Sequence, residues 1–144
     1  MEASYTYTAE VRWTGERKGI FRVEGKPEVE IASPPEFGGP TGVISPEDLF
    51  VASAVTCYLT TFLAMADRVR ASFIRFACSA DAVLEKVQGK GLIFTSITLK
   101  PRVVIADQSE EHPVNRALEL TKKYCLVTNS MNCQVEMEPQ IEVV

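Results

Sequence analysis

Apolar and polar residues alternate along much of this chain, and where the alternation stops, two helical patterns take over. Tyr5, Tyr7, Ala9, Val11 and Trp13 alternate with Thr6, Thr8, Glu10 and Arg12, the period-two signature of a strand with one buried face. Residues 15–19 (GERKG) read as a hairpin turn, a second strand covers residues 20–23, and Val29 and Ile31 face inward from a third. Residues 33–41 hold three prolines and two glycines, which break both helix and strand ladders and make an ordered-loop candidate. Ser45 at the N-cap, Pro46 at the first helical position and the acids Glu47 and Asp48 then start a helix predicted to run to about Arg70.

Ile74, Phe76, Cys78, Ala80, Ala82 and Leu84 give a fourth strand, and Ile93, Thr95, Ile97 and Leu99 a fifth, after Gly89 and Gly91. A second helix begins around Glu110, Glu111 and Pro113, with an inward stripe of Val114, Ala117, Leu118, Thr121 and Cys125, and Asn129 as its stop. Cys133, Val135 and Met137 open a final strand. The predicted order is β-β-β-α-β-β-α-β, a single α+β domain over residues 1–144 with helices covering a sheet. The first helix is apolar on nearly every side, so it must be enclosed by more than one surface, and a homodimer with that helix inside is the expectation.

Composition narrows the function classes. A chain of 144 residues buries roughly 68–70% of its unfolded surface, so no disulfide staple is needed. The net charge of −4 argues against nucleic acid as a partner, because phosphate-backbone affinity comes from clustered Lys and Arg. Residues 49–66 carry no charge and touch the lower length limit of a membrane span. Ser53, Thr56, Thr60 and Thr61 interrupt that run, so a core helix is expected and no membrane partner. The N-terminus has no basic stretch followed by an apolar run, and a reducing cytoplasm is expected. The four cysteines show no C-x-x-C and the chain has one His, so no zinc site is expected.

Free cysteine in such a compartment is either packed core or redox-active. Cys57 stands out because its helical neighbours Ser53, Ala54, Thr60, Thr61 and Ala64 are all small, leaving space above the sulfur. A reactive thiol must ionise, and burial in mid-helix opposes that, so a cation must come from elsewhere. Arg17, in the GERKG turn, is the candidate cation. Cys78 and Cys133 on apolar strand faces read as inert packing, and His112 before Pro113 as a solvated helix start.

The segment S-P-E-D-L-F-V-A-S-A-V-T-C, with Glu47 ten residues before Cys57, a second cysteine late in the following helix, a G-x-R-x-G turn after the first strand and the loop P-P-E-F-G-G-P, resembles the OsmC/organic hydroperoxide resistance family over almost the whole chain. That resemblance implies an OsmC-like intertwined homodimer and a thiol peroxidase acting on organic hydroperoxides in oxidative stress defence. It also implies Cys57 as peroxidatic cysteine, Cys125 as resolving cysteine, Arg17 as activator of the thiolate and Glu47 as the carboxylate that fixes Arg17. A dithiol of lipoyl type or a low-molecular-weight thiol is the implied reductant, with neither metal nor flavin called for. The family often carries Pro after the second cysteine, where this chain has Leu126. Ten helical residues separate Glu47 from Cys57 by about 15 Å along the axis, so the Arg17–Glu47 pair is expected from the partner subunit. Phe37, Leu49, Phe50, Tyr58, Phe62 and Met131 are the expected apolar walls of a substrate pocket. A module binding a small apolar ligand, with silent thiols, and a thiol redox sensor are the alternatives.

Overall fold

The tight turn at Glu16 and Arg17 sets the first structural unit. Gly15 at φ 122° and Glu16 at φ 51° reverse the chain between β1 (Glu10–Gly15) and β2 (Lys18–Arg22), and the Trp13 indole N–H clips the turn by donating to the Glu16 carbonyl at 2.9 Å. β2 then pairs antiparallel with β3 (Val29–Ala32), giving a three-stranded sheet in the order β1-β2-β3. The computed structural model describes residues 3–144, which fall into two compact units meeting in sequence at Phe50 and Val51.

The alternation from Tyr5 predicts a longer first strand with a buried face, and both expectations need correction. β2 ends at Arg22, opposite Glu10, so the described residues 3–9 extend past the end of β2. Within the chain the face of β1 is open: Val11 is 64% and Trp13 78% exposed. The proline-rich loop contains one short 3-10 turn, Pro35–Phe37, where no regular structure was expected. Gly39 is obligatory there, because a Cβ would fall 1.5 Å from the Ser33 carbonyl oxygen.

Helix α1 (Pro46–Val69) starts as its sequence dictates. The Asp48 N–H donates to the Ser45 hydroxyl at 3.1 Å, and the Ser45 N–H returns to the Asp48 carboxylate at 2.9 Å. This reciprocal box satisfies two of the helix's orphan donors.

In the second unit, β4 (Arg75–Val87) and β5 (Gly91–Ile105) form a long antiparallel ladder. The chain then passes through α2 (Glu111–Tyr124) and α3 (Leu126–Asn129) to β6 (Gln134–Met137) and β7 (Gln140–Val143), which both run parallel to β5. The single final strand read from the sequence is thus split. The register against β5 is the same on both sides, and the gap is Glu138–Pro139, where proline has no N–H to give the ladder. Pro101 in β5 lies at the level of this gap, so β5 continues past it to Ile105 rather than ending near Leu99.

Alternation gives this sheet one apolar face, with Phe76, Cys78, Ala80 and Ala82 of β4 beside Val103, Leu99 and Ile97 of β5. Two helices cover it. α1 contributes Ala54, Tyr58, Phe62 and Ala66, spaced one turn apart, and α2 contributes Val114, Ala117, Leu118 and Thr121, four positions of the stripe predicted for it.

Tyr58 and Phe62 therefore differ from the expectation that they wall a pocket. Both have zero exposure, and Phe62 stacks on Phe76 at 4.6 Å between ring centroids while meeting Phe73 edge-on at 5.2 Å. The Tyr58 hydroxyl donates to the Met137 sulfur at 3.3 Å, and burial raises its pKa. Phe62→Ala is expected to cost about 3–5 kcal/mol in urea unfolding. An unchanged midpoint would mean the ring is not part of the core.

Candidate active site

Cys57 lies halfway along α1, one residue before the core position Tyr58, and is half-buried. Its sulfur is 3.7 Å from the Thr61 hydroxyl one turn on. Cys125 is fully buried and is presented from the junction of α2 and α3. Because both helices lie on the same sheet face, the two cysteine side chains come within hydrogen-bonding reach of each other. All four cysteines are free thiols.

The junction departs from the single helix expected through Asn129. Cys125 has φ −65° and ψ 104°, an extended conformation that ends α2 and starts the one-turn α3. Two side chains bond carbonyls on either side of the break. The Asn129 amide donates to the Lys123 carbonyl at 2.9 Å, and the Thr128 hydroxyl to the Cys125 carbonyl at 3.2 Å. The sequence signal for this break was the pair Thr128 and Asn129, types that compete with a helix by bonding the backbone locally; neither Gly nor Pro marks it.

Electrostatics at Cys57 follow from that geometry. Burial alone would raise its pKa, but the Val127 N–H, the Cys125 side chain, the Thr61 hydroxyl and the Leu126 N–H all donate toward the sulfur, and the thiol ends below its ordinary value. These donors are neutral, whereas the sequence pointed to a cation, and the two backbone N–H groups among them have no signal in the sequence. Cys78 behaves oppositely: burial pushes its thiol up to about 11, with a smaller lowering from the Lys100 backbone and a further rise from the nearby Cys125. Cys133 is half-buried against the core. His112 is exposed at the start of α2.

The other two expected site residues belong to the first unit. Arg17 sits in the β1–β2 turn beside a cavity of about 650 Å³ lined by Glu16, Arg17, Gly38, Gly39 and Pro40. A Cβ at Gly38 would lie 3.1 Å from the Arg17 Nε, so this glycine, at φ 88°, gives the guanidinium room against the loop. The Arg17 carbonyl accepts the Ser33 N–H at 3.3 Å, tying turn to loop. Glu47, in the first turn of α1, has its Oε1 shut off from solvent with no hydrogen-bond partner among the described residues. Arg17 and Glu47 do not form an ion pair within the described residues of the chain; the five pairs there are all elsewhere. Of the remaining residues expected to meet substrate, Phe37 is 41% exposed, Leu49 and Phe50 are half-buried in the same unit, and Met131 is half-buried against the second unit's core.

Several known proteins are similar to this chain. YmaD, an uncharacterized protein of Bacillus subtilis, is 24% identical over 147 residues, covering 98% of this chain and 96% of that one. An OsmC-like protein of unknown function from Vibrio cholerae superposes with a TM-score of 0.85 at 20% identity, covering 94% of this chain and 99% of the other. An organic hydroperoxide resistance protein, OsmC, from Legionella pneumophila gives 0.74 at 25% identity, covering 99% and 100%. The family model for OsmC-like protein matches residues 39–140, which takes in α1, both cysteines of the pair and the whole β4–β5 ladder, and so this chain belongs to the OsmC-like family.

Proposed function

We propose that this chain is a thiol peroxidase that reduces organic hydroperoxides to alcohols, with Cys57 as the peroxidatic and Cys125 as the resolving cysteine. The observation that carries this reading is the contact of two thiols, of which the more exposed one is pushed toward the thiolate while a third, Cys78, is pushed away from it. The kinship with proteins named for organic hydroperoxide resistance supplies the substrate class.

The Cys57 thiolate attacks one peroxide oxygen. The O–O bond breaks, the sulfur is oxidised to sulfenic acid, and the alkoxide takes a proton and leaves as the alcohol. The Cys125 thiol then attacks the sulfenic sulfur, forming the disulfide and releasing water. A dithiol of lipoyl type, or two low-molecular-weight thiols, reduces the disulfide by exchange and is itself oxidised to a disulfide. Early disulfide formation protects Cys57 from the irreversible sulfinic and sulfonic acids. In this reading Arg17 offers donors to the peroxide oxygen on which charge develops, and Glu47 holds the guanidinium. Phe37, Leu49, Phe50 and Met131 receive the alkyl chain. A cytoplasmic location suits a cycle that needs a thiol reductant.

Assembly as a homodimer belongs to the same proposal. The buried, unpartnered Glu47 Oε1 calls for a cation, since burying a lone acceptor or charge is costly. Leu59 and Leu63 of α1, 38% and 43% exposed, leave a second apolar face of the helix uncovered by its own chain. A second copy supplies both the cover and the guanidinium. Light scattering is expected to give twice the 15.9 kDa of one chain; a monomer at working concentration removes this part of the proposal.

With cumene hydroperoxide and excess dithiol, wild type should turn over. Cys57→Ser should lose activity by at least about a hundredfold, and Cys125→Ser should lose activity progressively as Cys57 overoxidises. Equal rates in all three proteins overturn the assignment.

Alkylation of the reduced protein tests the thiols without turnover. Because only the thiolate reacts, the lowered pKa of Cys57 should make it label faster than an ordinary thiol at the same pH, its rate falling as pH drops through that pKa. Cys78, pushed up to about 11, should label far more slowly until the solution is strongly alkaline. Peptide mapping by mass spectrometry reads both rates, and equal labelling at neutral pH contradicts the prediction.

A further inference from the structure

We infer that Arg68 and Lys123, which meet at the ring of Tyr124, form an anion subsite that selects a thiol reductant carrying a carboxylate. The inference rests on the reading of Cys57 and Cys125 as a redox pair. It decides between the reductants named there, in favour of an anionic low-molecular-weight thiol over a neutral lipoyl amide.

Helical spacing places the subsite. Cys57, Thr61, Ala64 and Arg68 stand at i, i+4, i+7 and i+11 on α1, one above another along a single strip of the helix. Cys57 and Thr61 are half-buried while Ala64 and Arg68 are exposed, so the strip opens toward its Arg68 end. Arg68 lies about 16 Å along the axis from Cys57, and side chains on a helix lean toward its N-terminus, here the Cys57 side. The end of α2 meets this strip. The Arg68 guanidinium carbon is 5.9 Å from the centre of the Tyr124 ring, and the Lys123 Nζ is 5.2 Å from it. Tyr124 immediately precedes Cys125 and is 46% exposed.

Neither cation has an ion-pair partner among the described residues. Glu119, one turn before Lys123, pairs with Arg116 at 3.7 Å, and Asp67 beside Arg68 forms no ion pair. Both cations end a helix, where the macrodipole favours them, but the dipole does not require the two to converge on one ring. A ring face attracts each cation and leaves its N–H donors free, so the pair is held without being neutralised. A carboxylate between them gains from both, and the strip leads from there to the sulfur. A thiolate of the reductant attacks the Cys57 sulfur, the more exposed half of the disulfide, and Cys125 leaves as a thiolate that takes up a proton. A second thiol attacks the reductant sulfur of the mixed disulfide, which frees Cys57 and passes two electrons to the protein as the reductant becomes a disulfide.

Dihydrolipoate and dihydrolipoamide present the same dithiol and differ in the charge at the far end. Stopped-flow reduction of the preformed Cys57–Cys125 disulfide at low salt should run roughly three- to tenfold faster with dihydrolipoate in the wild type. The ratio should fall to near one in the double variant Arg68→Gln, Lys123→Gln, whose substituted side chains are both exposed and outside the core. Equal rates in the wild type, or a preference that survives in the double variant, overturn the inference. A protein that forms no such disulfide with peroxide sinks the redox reading but not the subsite, which is then read without sulfur chemistry. Octanoate should shift the Tyr124 ring resonances of the wild type in NMR, while octanamide should not, and the double variant should lose the octanoate response. No shift with octanoate overturns the inference equally.

Discussion

The approach of the Cys57 and Cys125 side chains, at the break between α2 and α3, is the feature on which the proposed site depends. A half-buried thiol in mid-helix has every reason to stay protonated, since removing a charge from water is costly and its own helix N-terminus is too distant to help. Neutral donors outweigh that cost only when several converge, and the lowered pKa of Cys57 follows from neutral donors, the Thr61 hydroxyl 3.7 Å away among them. The comparison inside the protein is direct. Cys78 is also partly buried, has a sulfur that donates to the Ser79 carbonyl, and has no such convergence, and burial wins there. The same type of side chain takes opposite electrostatic character according to whether donors or acceptors face it.

That convergence depends on the sheet. β5 pairs with β4 on one side and with β6 and β7 on the other, so its buried residues Ile97, Leu99, Val103 and Ile105 form the spine of the core. α1 and α2 are both pinned to this face, by Tyr58 and Phe62 and by Val114 and Leu118. Cys57 precedes Tyr58 in sequence and Cys125 lies one helical turn beyond Thr121, so anchoring these neighbours fixes both sulfurs. Rigid elements hold side chains more closely than loops do, and the irregular turn at Cys125 is itself pinned by Thr128 and Asn129.

Much of this was legible where a local rule coincides with the tertiary outcome. Ser45 and Asp48 cap α1 because their side chains satisfy donors in any context, and the GERKG turn closes a hairpin because Gly15 accepts a positive φ. The α2 stripe is buried as periodicity dictates. Failures occur where a partner element decides. Tyr5 and Tyr7 alternate like strand residues, yet β2 is too short to pair with them. Pro101 looks like a strand end, but a matching gap between β6 and β7 accommodates it. Tyr58 and Phe62 share the helix with Cys57, and only the placement of Phe76 across from them makes them core rather than wall. The pair of cysteines was legible as a motif, whereas the donors between them were not, because a backbone N–H has no letter in the sequence.

The split between neutral donors and the guanidinium bears on how such a site would work. Donors fixed in the backbone act on the resting sulfur and lose nothing when substrate enters, whereas a cation is worth most where new charge develops, on the departing oxygen. An arginine placed to ionise the thiol would be partly neutralised by it and less available to the peroxide. On the proposed assignment, neutral donors would act on the resting thiol, and Arg17 would act only when the O–O bond stretches. In that proposed division of labour, neutral donors would govern how much thiolate is present, and the arginine how fast that thiolate reacts.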